Sequence, residues 1–110
     1  MNVESDAQRL VEYLDETLQL LQTYEIGDWA QWLERDHSRI SARDYYGLVH
    51  LLSAFGGMGS FSDVWICAAN GHKIAEEQER QVNTRLQELR GEIYRLATRL
   101  KRIADRREDA

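Results

Sequence analysis

The sequence predicts an all-α fold: a single-domain helical bundle of about five helices over residues 1–110, its long C-terminal helix packed antiparallel on helix 1. Three observations carry that reading. Proline, the strongest helix breaker, is absent from all 110 residues. Alanine, leucine, glutamate, glutamine and arginine dominate, and β-branched residues are few. Val82, Leu86, Leu89, Ile93, Leu96, Leu100 and Ile103 alternate spacings of four and three, the apolar seam of helices that cross at about +20°.

The first helix is predicted from Ser5, where Ser5-Asp6-Ala7-Gln8 fits a capping box. Ala7, Val11, Leu14, Leu18 and Leu21 then mark one face as far as Tyr24, and Glu4, Asp6, Glu12, Asp15 and Glu16 mark the solvated one. Gly27 punctuates the chain, and Asp28 starts a short second helix that carries Trp29, Trp32 and Leu33 and ends near residues 36–38. Ser41-Ala42-Arg43-Asp44 is expected to open a third, central helix. Tyr45, Leu48, Val49, Leu51, Leu52 and Phe55 cover most of its circumference, as on a helix buried on most sides.

Three glycines within four residues then reverse the chain at Phe55-Gly56-Gly57-Met58-Gly59-Ser60. A fourth helix is expected over residues 60–70, with Phe61, Val64, Trp65 and Ala68 inward and Asn70-Gly71 as its left-handed stop. The run Val64–Ala69 is apolar throughout, so periodicity by itself does not separate helix from strand there. The last helix should run from His72 to Arg106, with residues 106–110 frayed. Arg95, Arg99, Arg102 and Arg106 line a stripe beside its seam, expected to pair with Glu92 and the acidic first helix.

Apolar residues make up 43% of the chain and charged ones 30%, ordinary for a globular protein. No apolar run is long enough to span a membrane. The acidic start lacks the features of a signal peptide, and the single cysteine suits a reducing compartment, so a cytoplasmic location is expected. Residues 1–72 carry 11 acidic and 4 basic side chains and residues 73–110 carry 8 and 10, net charges of −7 and +2. An acidic N-terminal body favours basic partners and repels nucleic acid.

No residue set spells out a reaction, and the reading is of a protein that is not an enzyme, with no catalytic residues. The glycine run lacks the lysine and following Ser/Thr of a phosphate loop, and it follows a helix rather than the strand of a dinucleotide fold. Glu34-Arg35-Asp36-His37 is a lone Glu-x-x-His, and His37, His50, His72 and Cys67 are scattered without ligand spacing, so no metal or cofactor is expected. Cys67, inside Val64–Ala69, reads as a small core residue.

The run Leu51-Leu52-Ser53-Ala54-Phe55-Gly56-Gly57-Met58-Gly59-Ser60-Phe61-Ser62-Asp63, with Asn70-Gly71-His72 after it, resembles a small family of bacterial helical proteins. A leucine-rich helix and a Gly-Gly-Met-Gly-Ser-Phe turn mark that family, and the resemblance covers about residues 40–100. The family is similar to the small acidic proteins encoded beside secreted antibacterial toxins, among which immunity proteins neutralise the toxin. The resemblance implies a cognate protein toxin as partner. Such an inhibitor needs acidic groups that speed association and aromatic anchors that slow dissociation. Glu25, Asp28, Glu34 and Asp36 flank Trp29 and Trp32, and Met58 lies in the glycine turn, so these seven are the expected binding residues. The alternative is a dimeric regulatory or adaptor protein joined through the heptad-patterned C-terminal helix, so the chain is expected as a monomer or a homodimer. Nucleic-acid binding through the arginine stripe ranks below both.

Overall fold

The computed structural model describes residues 3–56 and 59–108, with side chains up to Arg106. Four α-helices follow in order: α1 (Val3–Thr23), α2 (Gly27–Ser41), α3 (Gly47–Leu52) and α4 (Glu76–Glu108). Two single 3₁₀ turns, Phe61–Asp63 and Ala68–Asn70, lie between α3 and α4, and no strand occurs among the described residues. The result is the expected all-α bundle with one α-helix fewer.

Helix α1 is the spine. Ala7, Leu10, Leu14 and Leu21 are fully buried along it, packed against α2 on one side and α4 on the other. Both neighbours run antiparallel to it. Glu16 grips Arg85 while Asp6 meets Arg99, so positions that advance along α1 retreat along α4. Against α2, Asp15 meets His37 and Glu4 meets Arg43. The seam of α4 is covered within the chain: Leu86, Leu89, Ile93, Leu96 and Leu100 are buried and only Val82 and Ile103 are half-buried. With 33 residues, α4 spans the 51 Å long axis of the molecule.

Several boundaries differ from expectation, each for a local reason. Helix α1 starts at Val3, so Ser5 lies inside it rather than capping it. Asp6 is buried, not solvated, because Arg99 comes within 3.2 Å of its carboxylate. Helix α2 starts one residue before Asp28, after Ile26, with no side-chain cap. It also runs on to Ser41, which therefore ends α2 instead of opening α3.

Arg43 then turns the chain with φ +61°, and its guanidinium holds both Glu4 and the Ile40 carbonyl. The Asp44 carboxylate accepts from the Tyr46 N–H, and α3 begins only at Gly47. That glycine suits a close approach, since an added Cβ would stand 3.0 Å from the Arg39 Cβ, tighter than most Cβ contacts. The expected central helix thus shrinks to six residues. Leu48 and Leu51 are fully buried, Tyr45, Leu52 and Phe55 are half-buried, and Val49 is 59% exposed.

The expected fourth helix is not one. Residues 64–67 are irregular, with extended backbone at Val64 and Cys67, laid along α4 between the two 3₁₀ turns. Phe61, Ile66 and Cys67 face inward, whereas Trp65 is 45% exposed and Ala68 is exposed. Such a segment has no helical hydrogen bonds of its own, so α4 supplies them. The buried Asn83 side chain accepts from the Ile66 N–H at 2.8 Å and donates to the Ile66 carbonyl at 2.7 Å. The buried Arg90 guanidinium donates to the carbonyls of Phe61 (2.9 Å) and Val64 (2.8 Å). Side chains here do the work that a neighbouring strand would do.

The glycine turn closes on itself. Gly59 sits at φ +79°, where a side chain would be strained, and its N–H donates to Asp63 at 2.8 Å. The Phe61 N–H reaches back to the Ala54 carbonyl at 2.9 Å. Gly71 is left-handed as the Asn70-Gly71 pair predicts, though it stops a 3₁₀ turn. Helix α4 begins at Glu76 rather than His72 and runs through Glu108.

Candidate protein-binding surface

The side chains expected to bind do not share one face. Trp29 and Trp32 are half-buried and meet edge to face with centroids 5.8 Å apart. They belong to a run of rings from His50 through Trp32, Trp29, Phe61 and Phe55 to Tyr94, each 4.0–5.8 Å from the next. Phe61, at its centre, is fully buried. The tryptophans therefore close the core, half-buried at its edge.

Glu25 and Asp28 are exposed at the start of α2 beside the tryptophans, Glu25 with φ +59° and 3.5 Å from Lys73. Glu34 is exposed too, but it lies about 160° round the helix from Trp32 and faces away from it. Met58 lies outside the described residues.

Asp36 has to be withdrawn as a contact residue, because it is fully buried. Its Oδ1 lies 2.6 Å from His50 Nδ1, and the His50 ring stacks on Trp32 at 4.0 Å with 19° between the planes. Spacing explains the burial: Asp36 follows Trp32 by one helical turn, on the side of α2 that α3 covers. Burial pushes the Asp36 carboxyl above the ordinary aspartate range, against the His50 hydrogen bond and the more distant charges of Arg39 and Arg35. A raised pKa means that the folded state holds the proton more tightly than the unfolded one, so this group's contribution falls as pH climbs through that window. Asp36→Asn keeps an acceptor for His50 without the charge. Urea titrations of both proteins are expected to show the wild type losing stability relative to Asp36→Asn as pH rises above the ordinary aspartate range, about 4. A gap that widens in favour of the wild type would contradict this.

The largest exposed apolar groups stand at the other end of α2. Tyr46 is 75% exposed and Val49 59%. They border a cleft of about 400 Å³ between the start of α1, the α2–α3 turn with α3, and the last turns of α4. Val3, Tyr45, Leu100, Ile103 and Ala104 give it apolar walls, and the pairs Arg43–Glu4 and Lys101–Asp105 sit at its rim. Exposed aromatic and aliphatic groups over an apolar cleft with a charged rim are the usual anatomy of a docking site. The sequence carried two signals of it. Adjacent tyrosines 45 and 46 lie about 100° apart on a helix, and Val49 is set off by the same angle from buried Leu48, so one of each pair stands nearer the edge of a packed face.

Residues 22–75 match the family described as a domain of unknown function, DUF6966. No curated protein and no solved structure matches the chain. The matched span holds α2, the Arg43 turn, α3, the glycine turn and the residue 64–67 segment, so it includes both the tryptophan edge and Tyr46–Val49. The α4 wall of the cleft, Leu100 to Ala104, lies beyond it. Among the described residues no cluster of three or more potential metal ligands occurs, and no helix is long and apolar enough to cross a membrane.

Proposed function

We propose that this protein is a protein-binding module of the immunity type, which neutralises a cognate bacterial toxin by binding and blocking it. The observation that carries the binding role is Tyr46 and Val49 standing 75% and 59% exposed over the apolar cleft. Tyrosine is enriched among residues that dominate binding energy, because it presents a large rigid surface with a polar tip. Glu25 and Asp28, with half-buried Trp29 and Trp32, form a second contact region at the far end of α2. The net charge of −5 favours encounter with a basic toxin surface. The toxin-neutralising part of the reading rests on the resemblance carried by the Gly56–Phe61 turn. A cytoplasmic site of action follows from it, since an immunity protein of this kind protects the cell that makes it.

The test is to ask whether a neighbouring gene encodes a secreted protein with a C-terminal toxin domain, and then to titrate that domain calorimetrically against this protein and measure rescue of cells that express it. Tyr46→Ala is expected to weaken binding by roughly 2 kcal/mol, about thirtyfold in Kd. Glu34→Ala, on the face turned away from Trp32, should stay within about twofold. Wild-type affinity in a folded Tyr46→Ala protein would remove the cleft from the interface. Absence of both binding and rescue would remove the toxin.

A further inference from the structure

About 120° round from its buried seam, α4 turns a second regular stripe to solvent. Glu77, Gln81, Glu88, Arg95, Arg102 and Arg106 all project within about 60° of one another round the helix, and all six are exposed. The stripe is polar in charge: its N-terminal half carries the two glutamates and its C-terminal half the three arginines. Its positions are also symmetric about the Gly91–Glu92 peptide. A second α4 laid antiparallel across that point sets Glu77 opposite Arg106, Gln81 opposite Arg102, and Glu88 opposite Arg95.

We infer that this outward face of α4 docks a second, antiparallel copy of the same chain. The argument is charge complementarity of the face with itself under a two-fold axis, where each pair occurs twice. A parallel copy would instead set arginine against arginine. Gly91, exposed at the centre with open space where a Cβ would stand, lets the two helices approach closely.

The groups are available. Glu88 and Arg95 hold only surface partners one turn away, Arg85 at 3.0 Å and Glu92 at 2.7 Å, and these exchange readily. Glu77, Arg102 and Arg106 have no ion pair among the described residues. Two cations border the acidic half: Arg80, exposed about 60° round the helix from Glu77, and Arg85, held by Glu16 at 2.6 Å on the α1 side. This face is distinct from the apolar seam buried against α1, and its arginine half adjoins the Tyr46 cleft through Val3 and Ile103.

Sedimentation equilibrium of the full chain tests it, with circular dichroism to establish that each variant is folded. At low salt the wild type should dimerise, and at about 1 M salt, where screening acts within roughly 3 Å, its dissociation constant should rise at least tenfold. Arg95→Glu or Glu88→Arg by itself should weaken dimerisation by about tenfold or more, by setting like charges face to face. The swap carrying both changes restores opposite charges across the axis and should return the constant to within about threefold of wild type. A wild type that stays monomeric at low salt, single variants that dimerise unchanged, or a swap that fails to restore the dimer would each overturn the inference.

Discussion

Replacing Asn83 with leucine is expected to destabilise the protein by about 2–6 kcal/mol, although leucine has the same branching and the site is fully buried. The amide accepts from the Ile66 N–H and donates to the carbonyls of Ile66 and Glu79, all within 2.8 Å. Leucine would leave the Ile66 N–H and carbonyl in the core with no partner, and each such group costs roughly 1–3 kcal/mol. The penalty comes from the groups left behind rather than from the bonds themselves. Chemical denaturation should show it as a lower midpoint with little change in slope. If Asn83→Leu matches wild type within about 0.5 kcal/mol, the side chain is not what holds the 64–67 segment on α4.

The second large effect concerns the seam. Leu96 is fully buried between α1 and α4, and Leu96→Asp both removes a core side chain and places a carboxylate in apolar surroundings. Truncation of a buried leucine costs about 2–5 kcal/mol by itself, and the charge adds to it. The sum approaches the whole stability of a domain this size, so the variant should lose its cooperative unfolding transition. A protein that used the seam to pair with another copy would respond differently: Leu96→Asp would yield folded monomers. Light scattering together with circular dichroism separates the two results.

The seam was legible because α4 holds it without interruption and its period is set by helix geometry. Its antiparallel pairing with α1 was expected too, as was the pairing of the arginine stripe with Glu92 and the acidic first helix, although the partner there, Asp6, was expected in solvent. The middle of the chain was harder to read, for physical reasons. Val64–Ala69 is apolar whether it forms a helix or runs irregularly, and the deciding partners, Asn83 and Arg90, lie far along the chain. Those two are seven residues apart beside Leu86 and Ile93, polar side chains bordering an apolar face, and that was the available sign that α4 had backbone to satisfy. Ser41 looks like a helix cap in any short window, but Gly47 and the left-handed Arg43 place the turn after it.

The candidate site divides in the same way. Acidity and tryptophans along α2 were visible, yet Asp36 and Trp32 are drawn inward by His50, fourteen residues away, which no local pattern reveals. The Tyr46 cleft needs three elements that are distant in sequence: the start of α1, the α2–α3 turn with α3, and the end of α4.

Central to the account is the assignment of recognition to that cleft, with the glycine turn and residues 64–67 as scaffold. Hydrogen exchange of the protein with and without its toxin domain tests this most directly. Added protection is expected at Asp44–His50 and at Leu100–Asp105, with the Phe61–Cys67 amides unchanged. Protection confined to Phe61–Cys67, with Tyr46 and Ile103 exchanging as in the free protein, would contradict it.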